Sequence, residues 1–369
     1  MPKSPAPPLQ NPKTKAFQIG SFVFPHPFVL APMAGVTDRA FRDICRQKGA
    51  AFAVGEMVAS QKQLWHSAKS STRQADPTEA EPRIVQLLGT DPKTLAAAAA
   101  WQYEKGAQII DLNFGCPAKK VCSVAAGSAL MADPKKAAAI FKSVVSAVPI
   151  PVTVKMRTGI HPNHKNAHEL AQIAQDCGLQ AVTLHGRTRA DKFTGTAEYD
   201  TIAQVKQSLQ IPVIANGDIH SPQQALFVLK YTNCDGIMIG RGSLGFPWIF
   251  QQCLQKLQTQ KLTFPTLTEF TQTLVQHLQA LHHLYTQAGS EMTGVRHARK
   301  HFGWYVEKLW QLHQDGHLTL PKPLLQLGLR NFRQSFNQLE TAAQQINLIK
   351  QQLCLKTTPP TSANKSPKH

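Results

Sequence analysis

One thiol sits in a run suited to acid–base or nucleophilic work: Asn113-Phe114-Gly115-Cys116-Pro117, followed by Lys119 and Lys120. The thiolate is the reactive form of cysteine, and nearby cations favour it. Cys122, six residues on, competes for the same role on spacing alone. Three further residues are out of place in apolar surroundings. Lys155, within VTVKM, can stabilise an anion or hold charge beside an electron-rich ring, or it can pair with Glu56. His185 closes AVTLH and can donate to a carbonyl oxygen. Gln86, in VQLL, offers a donor and an acceptor to an amide-like heterocycle edge. Two turns, Asn216-Gly217-Asp218 and Gly240-Arg241-Gly242, allow backbone N–H groups to approach phosphate oxygens, with Arg241 as a charged donor.

These residues need a scaffold that converges them. Eight short apolar runs recur, at 28–33, 51–57, 83–88, 108–113, 151–156, 180–185, 211–215 and 236–240. They are continuous rather than alternating, as parallel strands buried on both faces are. Helical stretches fall between them, including 91–105, 133–148, 167–177 and 221–230, the last opening with Ser221 as cap and Pro222 at the first turn. Eight such units over about 225 residues match the size of a (β/α)₈ TIM barrel. A doubly wound sheet is the alternative, but APMAGVTD after the first run is not its glycine fingerprint. In the barrel, chemistry belongs at the C-terminal ends of the strands. Pro32-Met33-Ala34, Glu56, Gln86, Asn113, Lys155, His185 and Asn216 all fall there. The pieces AFQIG and SFVF around Gly20 predict a hairpin that plugs the other end.

From about Gln251 the strand signals stop, and apolar residues take helical spacing at 267–285, 296–312, 324–332 and 337–353. The expected organisation is a mobile segment 1–15, a barrel domain 16–250, an all-helical domain 251–356 and a mobile tail 357–369. Formal net charge is +18 with 40 Lys and Arg, which favours a polyanionic partner. The part from Gln251 on carries 13 Lys and Arg against 5 Asp and Glu. No apolar run approaches the roughly 20 residues that span a bilayer, and the first fifteen residues contain no apolar secretory core. Seven cysteines, none in a CxxC pair, predict reduced thiols in a cytosol. Cys45, Cys177, Cys234 and Cys253 are expected to be structural.

In order along the chain, LAPMAGVTDRAFR, VGEMV, VQLLGTDP, IIDLNFGCPAKKV, VTVKMRTG, AVTLHGRTR, IPVIANGDI and GIMIGRGSLGFPWIF resemble the tRNA-dihydrouridine synthases. TGVRHARKHFGWY is similar to the C-terminal helices of their bacterial B-type branch. The resemblance implies an FMN-bearing barrel followed by a helical tRNA-binding domain. It implies reduction of the C5–C6 double bond of particular uridines in tRNA, with NADPH (or NADH) re-reducing the flavin. Carried over by motif, Pro32, Met33 and Ala34 line the flavin, Gln86 and Lys155 contact its ring edge, and His185 lies near it. Asn216, Gly217, Asp218, Gly240 and Arg241 hold the phosphate end. Cys116 is the implied proton donor, and Asn113 helps to position flavin or uracil. Arg187 on a rim loop, and Arg299 and Lys300 beside His297 and His301 on one basic helix, are implied tRNA contacts. A cytoplasmic monomer with neither metal nor membrane partner completes the expectation. The loop TGIHPNHKNAH lacks the Trp-Asp expected there in many relatives. Two other classes compete: a flavin barrel acting on a free pyrimidine, which needs no basic appendage, and a non-catalytic RNA-binding barrel that keeps the flavin site.

Overall fold

A computed structural model describes residues 16–122 and 126–353, apart from the side chains at 68–69 and 119–120. The predicted mobile segment and tail therefore lie outside the described residues. The described part falls into two compact units. One runs to Thr263 and takes in Gln287–Gly289; the other comprises Phe264–Thr286 and the residues from Ser290 on.

The first unit begins with an antiparallel hairpin, β1 (Phe17–Ile19) and β2 (Phe22–Phe24), in which Phe17 faces Phe24. Gly20 turns it at φ 59°, and a Cβ there would collide with Pro151. Eight parallel strands follow: β3 (Phe28–Leu30), β4 (Val58–Ala59), β5 (Ile84–Leu88), β6 (Ile109–Phe114), β7 (Val152–Arg157), β8 (Ala181–His185), β9 (Val213–Asn216) and β10 (Gly236–Ile239). Their order is β3-β10-β9-β8-β7-β6-β5-β4. Residues 51–55 close the ring. Ala51 N–H donates to Phe28 C=O at 2.9 Å, Leu30 N–H to Phe52 C=O at 3.0 Å, and Gly55 N–H to Ile84 C=O at 3.0 Å. Within the run at 51–57, Ala53 bridges to Leu30 and Val54 to Ile84 as single bridges, not as a continuous strand. The run leaves the ladder where Glu56 turns to accept from Gly35 N–H and pair with Arg73, each at 2.6 Å.

The intervening helices are α1 (Arg39–Gln47), α2 (Ala68–Ser71), α3 (Pro92–Glu104), α4 (Lys119–Cys122), α5 (Pro134–Ala147), α6 (Ala167–Asp176), α7 (Asp200–Ser208), α8 (Pro222–Thr232) and α9 (Ile249–Gln258). Asp91, Asp133 and Ser221 cap α3, α5 and α8 with their side-chain oxygens, each followed by proline at the first turn. The apolar face of α9 (Ile249, Phe250, Cys253, Leu257) is buried, and the helix packs on α8 and β3. It is the outer helix of the last barrel unit, so the division falls after Thr263 rather than at Gln251.

The second unit holds α10 (Leu267–Gln287) as far as Thr286, α11 (Glu291–Gln314), α12 (Lys322–Gln338) and α13 (Ala342–Gln352). Its core includes Phe270, Leu278, Tyr305, Leu309 and Ile349. Phe302 stacks on Phe336 with ring centres 3.7 Å apart and meets Phe332 edge-on at 5.0 Å. Thr341 and Gln344 form a capping box that starts α13. No helix of the described residues is long and apolar enough to cross a membrane.

Candidate active site

Inside a barrel, every second residue of a strand points to the axis. Register aligns Gln86, Asp111 and Thr153 on β5, β6 and β7. Asn113, Lys155 and Thr183 align one step nearer the C-terminal end. Arg157, His185 and Asn216 align at the mouth. Below these, the interior is apolar: Ile84, Ile109, Ala181, Ile214 and Phe52, sealed by Phe17, Ile19 and Phe24 of the hairpin.

The mouth opens into a cavity of about 600 Å³, within the roughly 300–1,000 Å³ of small-molecule and cofactor sites. It gathers most of the residues singled out in the sequence. Pro32, Met33 and Ala34 follow β3; Gln86, Asn113 and Cys116 come from β5 and β6; Lys155 and His185 come from β7 and β8. Asn216, Gly217, Asp218, Gly240 and Arg241 line the opposite wall. Among the described residues, no group of three or more His, Cys, Asp or Glu could hold a metal ion.

Cys116 is fixed on both sides. Its N–H donates to Asn113 Oδ1 at 3.0 Å. Its carbonyl accepts from Ser128 N–H at 3.1 Å, Ser128 Oγ at 2.9 Å and Cys122 Sγ at 3.5 Å. Gly127 makes this approach possible: it sits at φ 61°, and a Cβ would lie 2.7 Å from the Cys116 carbonyl oxygen. Cys122 therefore supports the loop that carries Cys116 and, unlike Cys116, does not line the cavity. Cys45, Cys234 and Cys253 are buried, and burial pushes their thiols up, that of Cys234 to about 11.

Cations dominate the mouth. Lys155 Nζ donates to Asn216 Oδ1 at 3.1 Å, and Asn216 Nδ2 donates to the Met238 carbonyl at 2.7 Å. The Glu56 pairing is not formed. Burial and then Arg157 lower the Lys155 ammonium to about 8. Burial, then Lys155, Arg157, Arg187 and Arg241, drives His185 down to about 2, so its ring is neutral. Arg187 Nη1 lies 3.4 Å from His185 Nε2. A guanidinium only donates, which assigns the ring proton to Nδ1. Burial opposes ionisation of Asp218, but bonds from Arg187 and Ala197 N–H, and the charges of Arg187 and Arg241, hold it below the usual carboxylate value.

Arg187 differs from its predicted role. It is 3% exposed, grips Asp218 with two bonds (2.8 and 2.5 Å) and donates to the Thr194 and Gly195 carbonyls. Its guanidinium braces the loop after β8. Arg299 and Lys300 lie on α11 in the second unit, Lys300 exposed and Arg299 donating to the Leu339 carbonyl at 3.2 Å. His301, expected on the same basic helix, is fully buried there, and burial holds it well below its ordinary value. The side chains of Lys119 and Lys120 lie outside the described residues.

Sequence reasoning missed three neighbours. Arg157 lines the cavity and donates to the Gly115 carbonyl at 2.7 Å. Phe193, exposed at the mouth, has the guanidinium carbons of Arg157 and Arg241 each 5.5 Å from its ring centre. Asp111, 4% exposed, accepts from Gln86 Nε2 and Thr153 Oγ1, both at 2.7 Å. The inward parity of β7, with Thr153, Lys155 and Arg157 two apart, is the signal that points to Arg157.

Known proteins share this architecture. Histamine dehydrogenase from Rhizobium sp. 4-9 superposes with a TM-score of 0.50 at 11% identity, covering 72% of this chain and 50% of that one. A 2-naphthoyl-CoA reductase gives 0.50 at 10%, covering 66% and 52%. At such identities the likeness is one of fold. Sequence relatives reach further. The tRNA-dihydrouridine synthase B of Shewanella oneidensis is 47% identical over 333 residues, 90% of this chain and 97% of that protein. Those of Pseudomonas syringae (48%, covering 90% and 93%) and Vibrio cholerae (45%, covering 90% and 97%) are similar. The family model described as dihydrouridine synthase matches residues 29–354. With its barrel, its cavity and this match along most of its length, the chain belongs to the dihydrouridine synthase family.

Proposed function

We propose that this protein reduces the C5–C6 double bond of specific uridines in tRNA, using FMN as cofactor and NADPH as its reductant. The observation that carries the reading is Cys116, pinned by both of its peptide groups at the mouth of a cation-lined cavity. The residues present fit a flavin mononucleotide. The cavity is of the right size, one wall is apolar (Ala31, Pro32, Met33, Ala34), and Gln86, Asn113 and Lys155 bring polar groups to one region. Gly240 continues that wall: an added Cβ there would lie in ordinary van der Waals contact with Met33 Sδ at 3.4 Å and Ala31 Cβ at 3.6 Å.

When bound, FMN would supply the two-electron reduction of the uracil C5–C6 bond. Pro32, Met33 and Ala34 would back its ring, with Gln86 and Lys155 at the ring edge and His185 beside it. Asn216, Gly217, Gly240 and Arg241 would hold the phosphate, with Asp218 aiming Arg241 through a 3.1 Å bond. Lys155 holds positive charge below about pH 8, which favours an electron-rich ring. Neutral His185 donates from Nδ1 and does not compete as an acid. Cys116 holds a proton at Sγ for delivery to uracil C5. Asn113 acts through the Cys116 N–H. The target base must leave its stack to reach this mouth, and exposed Lys192 and Phe193 stand at its entrance. Lys300 and Arg299 on α11 are the proposed phosphate contacts of the helical unit. The reading places the protein in the cytoplasm as a metal-free monomer.

The test is direct. Purified protein with FMN, NADPH and tRNA lacking dihydrouridine should form that base at defined positions, with binding that weakens steeply as salt rises. Reduction of free uracil or uridine monophosphate with no change in tRNA would overturn the reading.

A further inference from the structure

The interior of the barrel contains a carboxylate that the reaction does not use. Asp111 stands in β6, in a strand otherwise made of Ile109, Ile110, Leu112 and Phe114 on its buried positions, and is itself 4% exposed. Burying a carboxylate there is costly unless hydrogen bonds satisfy its oxygens. Those bonds form one continuous chain that runs outward to the reactive thiol.

We propose that Asp111 is a positioning residue that, through Gln86 and Asn113, fixes the backbone of Cys116. A carboxylate only accepts hydrogen bonds. Gln86 must therefore turn Nε2 inward, to Asp111 Oδ2 at 2.7 Å. That leaves Gln86 Oε1 facing outward, where it accepts from Asn113 Nδ2 at 2.8 Å. Asn113 Oδ1 is then left to accept the N–H groups of Gly115 (3.2 Å) and Cys116 (3.0 Å). Backbone N–H groups only donate, so the chain has an acceptor-only inner end and a donor-only outer end. Reversing either amide sets like groups against each other at one link or more. Thr153 Oγ1, at 2.7 Å from Asp111 Oδ1, keeps the carboxylate from turning away. The outer face of the loop is held independently by Ser128, so loss of the inner anchor frees one side of Cys116 and leaves the other.

The inference rests on Cys116 as the proton donor, and the readouts separate the two claims. Hydrogen exchange is followed in the peptide that contains Gly115 and Cys116, in protein without added tRNA or NADPH. Asp111→Leu should speed exchange there on the order of tenfold. Asp111→Asn can accept from Gln86 and donate to Thr153, so it should restore slow exchange. In turnover, Asp111→Leu should lower kcat for dihydrouridine formation about a hundredfold, the scale of a small misplacement of a reacting group. The KM for tRNA should stay as in the parent. If Asp111→Leu does not fold, Thr153→Val removes one of the two bonds on the carboxylate and should give the same changes at smaller size. Unchanged exchange in Asp111→Leu, or in Thr153→Val where that stands in for it, overturns the proposal, as does Asp111→Asn behaving like Asp111→Leu. Faster exchange together with a fully active Cys116→Ala keeps the anchor and overturns the proton-donor reading instead.

Discussion

At its N-terminal end the barrel is closed by Phe17, Phe24 and Phe52, whose ring centres stand 4.6 to 6.3 Å apart. At the other end the same strands deliver Gln86, Asn113, Lys155, His185 and Asn216 into an open cavity. The transition takes one interior step per strand: Ile84 to Gln86, Ile109 to Asp111 to Asn113, Ala181 to Thr183 to His185. The closed end is stabilised by burial of apolar surface, which is indifferent to orientation. The open end depends on hydrogen bonds with one workable assignment each. The lesson is a division of labour along a single strand: one end holds the fold and the other spends part of that stability on placing polar groups.

The sharpest way to break this contrast is at the thiol. Cys116→Ala should lower dihydrouridine formation by roughly 10²–10⁴-fold, the usual contribution of a general acid, with flavin retention and melting temperature unchanged. Formation at the parent rate, measured by mass spectrometry of digested tRNA, would remove Cys116 from the mechanism. The mirror experiment is at the plug. Phe52→Ala should cost about 3–5 kcal/mol of unfolding free energy in urea, while FMN affinity measured on the folded protein stays as it was. A large loss of affinity would mean that the ends are not separable. The smallest effect concerns charge. Lys155 titrates at about 8 because burial lowers it, so it is charged below that value and neutral above it. FMN affinity of the apo-protein, by fluorescence titration, should be flat from pH 7 to 8 and then fall by up to about tenfold per pH unit. A curve that is flat to pH 9.5 would show that the lysine charge does not face the ligand.

Much of this was legible beforehand because parallel strands buried on both faces leave long apolar runs, and the polar residue that ends each run marks the mouth. The hairpin around Gly20 was legible for a similar reason: short aromatic pieces flanking a glycine. Reading only the tips, however, left the interior column unseen. Asp111 and Thr153 carry the same inward parity as Asn113 and Lys155, and the two-residue spacing of polar residues within β6 and β7 is the signal that marks them. Arg187 was legible as a rim residue, not as a spent one, because its partners Asp218, Thr194 and Gly195 are brought to it by loops. His301 shares a basic helix with Arg299 and Lys300, but membership of the helix does not fix the face. The spacing of Ala298, Phe302 and Tyr305 puts His301 on the buried side. The pairing of Glu56 with Arg73 joins two loops and has no signature in either.

The plug also sets an order of events during synthesis. Phe17, Ile19 and Phe24 are among the earliest residues of the unit to leave the ribosome, yet the hole they fill is completed by Ile214 and Met238, made some two hundred residues later. Until β10 arrives, the aromatic pieces have no finished seat, and their exposed rings are a hazard for association with other nascent chains. Contacts of such long sequence separation slow folding.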